Sequence, residues 1–163
     1  MRFTSQIRYA VYAVFDMAFH ENGAPHQVKN ISRREAIPPR YLEQIFQRLL
    51  RGGILLSKRG PRGGYTLARS PKEITLADIV RATEGSVEAL LNGRGRAPSR
   101  RVRGTRPAAS SQAARPRAGE QIWGVVAGRM ADLLEAISVE DLVREAERRG
   151  VPRESASANM YFI

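Results

Sequence analysis

Two guanidinium groups on a turn nearly bare of side chains are the first residues with chemistry to offer. The segment Arg59-Gly60-Pro61-Arg62-Gly63-Gly64-Tyr65 sets Arg59 and Arg62 among three glycines and a proline, with Lys58 just before them. Glycine lets a backbone approach a ligand closely, and arginine makes charge-assisted contacts to phosphate oxygens. A little upstream stand Glu43 and Gln44. A glutamine can pair bidentately with adenine and a glutamate can accept from cytosine N4. This pattern suits recognition of a polyanion rather than turnover of a substrate. Catalytic patterns do not stand out: there is no Ser/His/Asp set, no Gly-rich phosphate loop and no acid pair in catalytic context. His20 and His26 have no second histidine or cysteine at ligand spacing, so no metal site is expected. The absence of cysteine removes disulfides, thiolate nucleophiles and thiolate-ligated metals. The expectation is a chain with no catalytic residue, no metal and no cofactor.

Charge points the same way. The 163 residues carry a formal net charge of +11, which favours a polyanionic partner. Its distribution is uneven: +6 over residues 1–93, +8 over 94–118, where eight arginines meet no acid, and −3 over 119–163. The last part is therefore a poor polyanion binder and is free for protein contacts. Hydrophobic residues make up 42% of the chain, enough for a core. No N-terminal stretch reads as a signal peptide, and the apolar runs fall far short of the roughly 20 residues that span a bilayer. A cytoplasmic protein with no membrane partner is expected.

These residues need elements to position them. Ile7, Ala10, Val11, Val14 and Ala18 recur at helical spacing, predicting a helix over 5–20 with Thr4 as N-cap. A short helix over 28–35 turns inward with Val28 and Ile31. Ala36-Ile37-Pro38 makes the turn, and Pro39 opens the next helix at its first position. In helix 39–51, Leu42, Ile45, Phe46, Leu49 and Leu50 form the apolar stripe. Arg40, Glu43, Gln44, Gln47, Arg48 and Arg51 face out. Ile54-Leu55-Leu56 and Tyr65-Thr66-Leu67 flank the glycine turn as a hairpin. Helix, turn, helix and basic hairpin in that order make a winged helix-turn-helix. Thr75-Leu76-Ala77-Asp78 is a capping box opening a helix to Glu84. Residues 94–118 are low in complexity and lack aromatics to stack on bases, so they read as a solvated, loose insertion. From about 120 a helix returns, with Ile122, Val126, Met130, Leu133, Leu134 and Ile137 on one face. That face is too long for the small winged domain to cover, so a second copy is expected there. The Gly124–Gly128 spacing suggests close helix packing. Ser138-Val139-Glu140-Asp141 opens a last helix to about Arg149, and the apolar end Met160-Tyr161-Phe162-Ile163 could dock back.

Taken together, Met1-Arg2-Phe3-Thr4, Arg8-Tyr9-Ala10-Val11, Tyr41-Leu42-Glu43-Gln44-Ile45-Phe46, the Arg59–Tyr65 turn and Ile74-Thr75-Leu76-Ala77-Asp78-Ile79-Val80 resemble the IscR/NsrR-type, or Rrf-two, family of bacterial regulators. The likeness runs through residues 1–91 and resumes more weakly at 121–149. It implies a homodimeric transcription factor on a near-palindromic operator. Arg40, Tyr41, Glu43 and Gln44 would face the major groove. Arg59, Gly60 and their neighbours would reach the minor groove, and the helix from 120 would be the dimerisation helix. Many members hold an iron–sulfur cluster on three cysteines. Here Asn92 stands roughly where the first would fall. The nearer model is a cysteine-poor relative that senses a small molecule or a protein.

The expected fold is mostly α with a small β-hairpin wing. It comprises a winged helix-turn-helix domain (1–85), an Arg-rich flexible loop (86–119), a dimerisation helix with a short following helix (120–150) and a C-terminal tail (151–163). The expected function is a homodimeric, cluster-free regulator, a repressor, of double-stranded DNA. Pro39, Arg40, Tyr41, Glu43, Gln44, Arg59, Gly60, Arg62 and Gly63 are the candidate DNA-contacting residues. The alternatives are a non-specific nucleic-acid binder using the Arg-rich segment, or a protein-interaction module.

Overall fold

The computed structural model describes residues 4–87, 90 and 118–153. Most of the Arg-rich segment and the terminal Met160–Ile163 lie outside these, as does Asn92. Helix α1 (Ser5–Phe19) starts where Thr4 Oγ1 accepts the Ile7 N–H at 3.3 Å. It forms the centre of the fold. Its buried face is built from Ile7, Ala10, Ala13, Val14, Met17 and Ala18, whose alanines let neighbouring helices come close. Helices α2 (Val28–Glu35) and α3 (Pro39–Arg51) pack on it and on each other. The turn between them passes through Ala36 at φ +51°, ψ +37°, a left-handed conformation that strains any residue with a Cβ. A buried ion pair fixes α2 to α1: Arg34 Nε and Nη2 grip the two carboxylate oxygens of fully buried Asp16 at 2.7 and 2.6 Å.

Strands β1 (Leu55–Lys58) and β2 (Gly64–Leu67) pair antiparallel, with Leu55 opposite Leu67 and Lys58 opposite Gly64. A 3₁₀ turn (Pro71–Glu73) leads to α4 (Leu76–Glu84). The Thr75–Asp78 capping box forms as expected, with the Asp78 N–H to Thr75 Oγ1 at 3.1 Å and the Thr75 N–H to Asp78 Oδ2 at 3.3 Å. Arg48 of α3 donates to the Thr83 carbonyl at 2.6 Å and ties α3 to α4. The principal core gathers Ile31, Ile37, Leu42, Ile45, Phe46 and Leu49 beneath α1, together with Ile54, Leu55, Ile74 and Ile79.

Helix α5 (Ala118–Ala136) lies against α4, and α6 (Val139–Arg148) returns to α1. The link between them is pinned by backbone: the Leu76 N–H donates to Ile137 O and the Val139 N–H to Ile74 O, both at 2.9 Å. The Ser138–Asp141 capping box also forms, and hydrogen bonds from Ser138 hold the Asp141 carboxyl below its ordinary range. Val139 belongs to the same core as the winged elements. The short last helix thus docks on the wing-bearing body rather than extending from α5 alone.

Candidate nucleic-acid interface

The amphipathic pattern of α3 settles which side chains are free. Leu42, Ile45, Phe46 and Leu49 are buried, which turns Pro39, Arg40, Tyr41, Glu43, Gln44 and Gln47 outward as exposed residues. Tyr41 is 58% exposed, and its ring meets Tyr9 of α1 edge-on, with centroids 6.5 Å apart. The guanidinium of exposed Arg8 lies 5.5 Å from the Tyr9 ring centre. Sequence reasoning placed neither Arg8 nor Tyr9 at this surface. The only available signal was an arginine on the polar face of α1, and nothing local says that this face adjoins α3.

The wing tip carries Lys58, Arg59, Gly60 and Arg62 in exposed positions. The Gly63 N–H donates to Gly60 O at 2.9 Å and closes the turn. Gly63 is half-buried, and a Cβ there would lie 2.3 Å from Lys58 O, so this position demands glycine to make the turn. A Cβ on Gly64 would lie 2.4 Å from His26 O. That close approach belongs to a contact the sequence did not announce. Residues His26 and Tyr65 exchange both backbone hydrogen bonds at 2.8 Å, so the α1–α2 loop adds a short third segment beside β2 of the wing. Tyr65 packs edge-on against Phe46 of α3, centroids 4.7 Å apart. Wing and α3 are therefore held as one unit. The His26 imidazole is buried, and burial pushes its pKa down against the opposing pull of Glu21 and Asp16. His20 Nδ1 lies 3.2 Å from Asp16 Oδ1. Both histidines are built into the fold beside α2. Among the described residues, no group of three or more His, Asp or Glu side chains is placed to hold a metal.

The arrangement sets a row of amide, carboxylate and guanidinium tips on α3 beside a cationic, glycine-lined turn. The first group has the donors and acceptors that read base edges, and the second suits phosphate oxygens. The thiolate cluster implied by the family resemblance does not fit this chain, because no cysteine exists anywhere in it to ligate iron.

On α5 the expected apolar stripe divides. Met130 and Leu134 are half-buried with Ala131 against Ile7, Ala77, Val80 and Val87, and Ala127 is fully enclosed there. Ile122, Val126 and Leu133 point to solvent at 67, 39 and 61% exposure, joined by Trp123 and Val125. Ile137 is half-buried at the link to α6. The stripe is wider than one flank, and the winged body covers only the part facing α4. Among the described residues of this chain, nothing packs closely on Gly124 or Gly128. Both are exposed, and a Cβ on either would meet no described atom within 4 Å.

No helix among the described residues is long and apolar enough to cross a membrane. The family model of iron-dependent transcriptional regulators, Rrf2, matches residues 3–145. The HTH-type transcriptional regulator IscR of Photorhabdus laumondii is 35% identical over 147 residues, covering 90% of this chain and 82% of that protein. Its counterpart in Vibrio cholerae is 34% identical over 148 residues, covering 90% and 78%. The structure of T. potens IscR superposes with a TM-score of 0.72 at 26% identity, covering 94% of this chain and 93% of that one. CymR, the global cysteine regulator of B. subtilis, shares the fold at 23% identity with a TM-score of 0.68, covering 89% and 98%. These are transcriptional regulators, not enzymes. The winged helix-turn-helix chain described here belongs to the Rrf2 family of DNA-binding transcriptional regulators.

Proposed function

We propose that the chain acts as a homodimeric repressor on a near-palindromic operator, in the cytoplasm and without a cluster. In this reading α3 enters the major groove. There Gln44 and Glu43 read base edges, and Arg40 and Tyr41 flank them. The wing carries Arg59, Gly60 and Arg62 to the neighbouring backbone and minor groove, with Pro39 and Gly63 shaping the two contact segments. Arg8 adds a cation next to Tyr41. Residues 1–85 form the DNA-binding domain, 86–119 a linker in place of a cluster loop, 120–150 the dimerisation part and 151–163 a tail. The effector, in the absence of thiolates, is a small molecule or a protein.

The observation that carries the dimer is the solvent-facing row Ile122, Val126 and Leu133 on a 19-residue helix, with Trp123 and Val125 beside it. Large contiguous apolar patches on a folded chain mark interaction sites, and two-fold pairing is the commonest way to cover one. Two-fold symmetry would then place two α3 helices one DNA turn, about 34–36 Å, apart or a multiple of that. Selection of bound sequences from a random duplex pool tests this. The expected product is an inverted repeat with a fixed half-site spacing. Enrichment of a single unrepeated motif, or of none, contradicts it.

A further inference from the structure

Where the wing-bearing body meets α5, four charged side chains and a hydroxyl converge. Asp78, whose side chain is mostly buried, accepts from Arg69 Nη2 at 3.1 Å and from Arg81 Nη1 at 3.3 Å. It also caps α4 through the Thr75 N–H. Arg81 turns its other nitrogen to Glu135 Oε1, and Glu135 Oε2 accepts from Thr75 Oγ1 at 3.3 Å. Arg69 stands two residues past the end of β2, and its Nη1 also donates to the Glu73 carbonyl at 3.1 Å. One network therefore joins the exit of the wing, the first turn of α4 and the last turn of α5.

Two further contacts between these parts, among the described residues, differ in kind. The backbone rung between Thr75 and Ser138 holds only the C-terminal end of α5, like a pivot. Further along, Ala127, Met130 and Leu134 rest on Ala77 and Val80, apolar contacts with no fixed direction. Glu135 sits next to the pivot and makes two directed hydrogen bonds. Arg81 and Glu135 are both about half-exposed, at 48 and 43%. An exposed pair of this kind contributes little to stability, whereas its geometry constrains an angle.

We propose that Glu135 is a positioning residue that sets the angle between α5 and the DNA-reading body, and through it the operator spacing the protein accepts. The proposal rests on the dimer reading above. A small rotation at the pivot, repeated in both protomers, moves the two recognition helices apart or together by ångströms, where one base pair is about 3.4 Å.

The test measures affinity for the selected operator with its half-sites at the preferred spacing and one base pair closer or farther. Wild type, Glu135→Ala, Glu135→Gln, Arg81→Ala and the Ala/Ala double variant are compared, with an isolated half-site as control and sedimentation for oligomeric state. The expected result is a dimer in every case with unchanged half-site affinity. Glu135→Ala should narrow the ratio between preferred and shifted spacing by about fivefold, the worth of an exposed charged link acting once in each protomer. Glu135→Gln, whose carbonyl oxygen can still accept from Arg81 while its NH2 donates to Thr75 Oγ1 with the hydroxyl turned to accept, should stay within about twofold of wild type, and the double variant should be no worse than Glu135→Ala. An unchanged spacing ratio in dimeric Glu135→Ala overturns the proposal alone. So does an equal loss at every spacing and on the half-site. A monomeric wild type overturns the dimer reading and the proposal with it.

Discussion

Ala36 illustrates how one residue can fit a turn poorly and still occupy it. Its φ of +51° is the only positive value at a non-glycine among the described residues. The left-handed conformation costs an alanine about 1–2 kcal/mol. Glycine would relieve that strain but gives back about 0.5–1 kcal/mol in the entropy of the unfolded chain. Ala36→Gly should therefore stabilise the protein by about 0.5–1 kcal/mol, read as a higher urea midpoint with an unchanged slope. A lower midpoint would mean that the turn is not left-handed. His26 offers a second residue test. Its imidazole is buried behind the wing, and its Nε2 is 3.9 Å from the nearest carboxylate oxygen, on Glu21. The folded pKa lies below the ordinary 6.5, so the unfolded chain takes up the proton first. Stability is then whole above about pH 6.5 and falls as the pH drops below it. The urea midpoint of wild type should decline from pH 7.5 to 5.5 more steeply than that of His26→Gln. Equal declines would show that another group carries the effect.

The helices divide into those whose role is local and those whose role depends on neighbours. α5 belongs to the second kind, and its two flanks predict opposite outcomes. Ile122→Glu and Leu133→Glu, on the solvent-facing flank, should yield folded monomers with poor operator affinity. Leu134→Glu, half-buried against Ala77 and Val80, should lower the melting temperature, since it places a charge in an apolar contact. Folded dimers from both exposed-flank variants would remove α5 from the interface. The same division explains what the sequence could reveal. The wing, the helix-turn-helix and the capping boxes at Thr75 and Ser138 were legible, because glycine turns, caps and apolar periodicity act within a few residues. The outward set on α3 followed from its buried stripe, except that Arg48, expected to face out, is half-buried against the Thr83 carbonyl of α4. The split of the α5 stripe was not legible, because periodicity marks an apolar face without saying which part the chain itself covers. The rung between His26 and Tyr65, the approach of Arg8 and Tyr9 to Tyr41, and the return of α6 to α1 are long-range pairings with no local cue. The Gly124–Gly128 spacing is silent on the same point: small residues permit close packing but do not say which helix, in this chain or another, fills the space.

The molecule as a whole combines a cationic reading surface with an apolar helix flank turned away from its own core. Its net charge of +11 guarantees some affinity for any duplex, so tight binding alone says little about the role of α3. What separates a regulator from a general polyanion binder is how base-facing and phosphate-facing residues respond to substitution. The most direct measurement titrates operator and random duplex against salt for wild type, Gln44→Ala and Arg59→Ala. Arg59→Ala should weaken binding to both duplexes and reduce the slope of log affinity against log salt by about 1 per protomer. Gln44→Ala should keep the wild-type slope, leave random DNA unchanged and lose about 1–3 kcal/mol of discrimination at one base position of each half-site. Equal weakening of operator and random duplex by Gln44→Ala would contradict the assignment of α3 as the element that reads sequence.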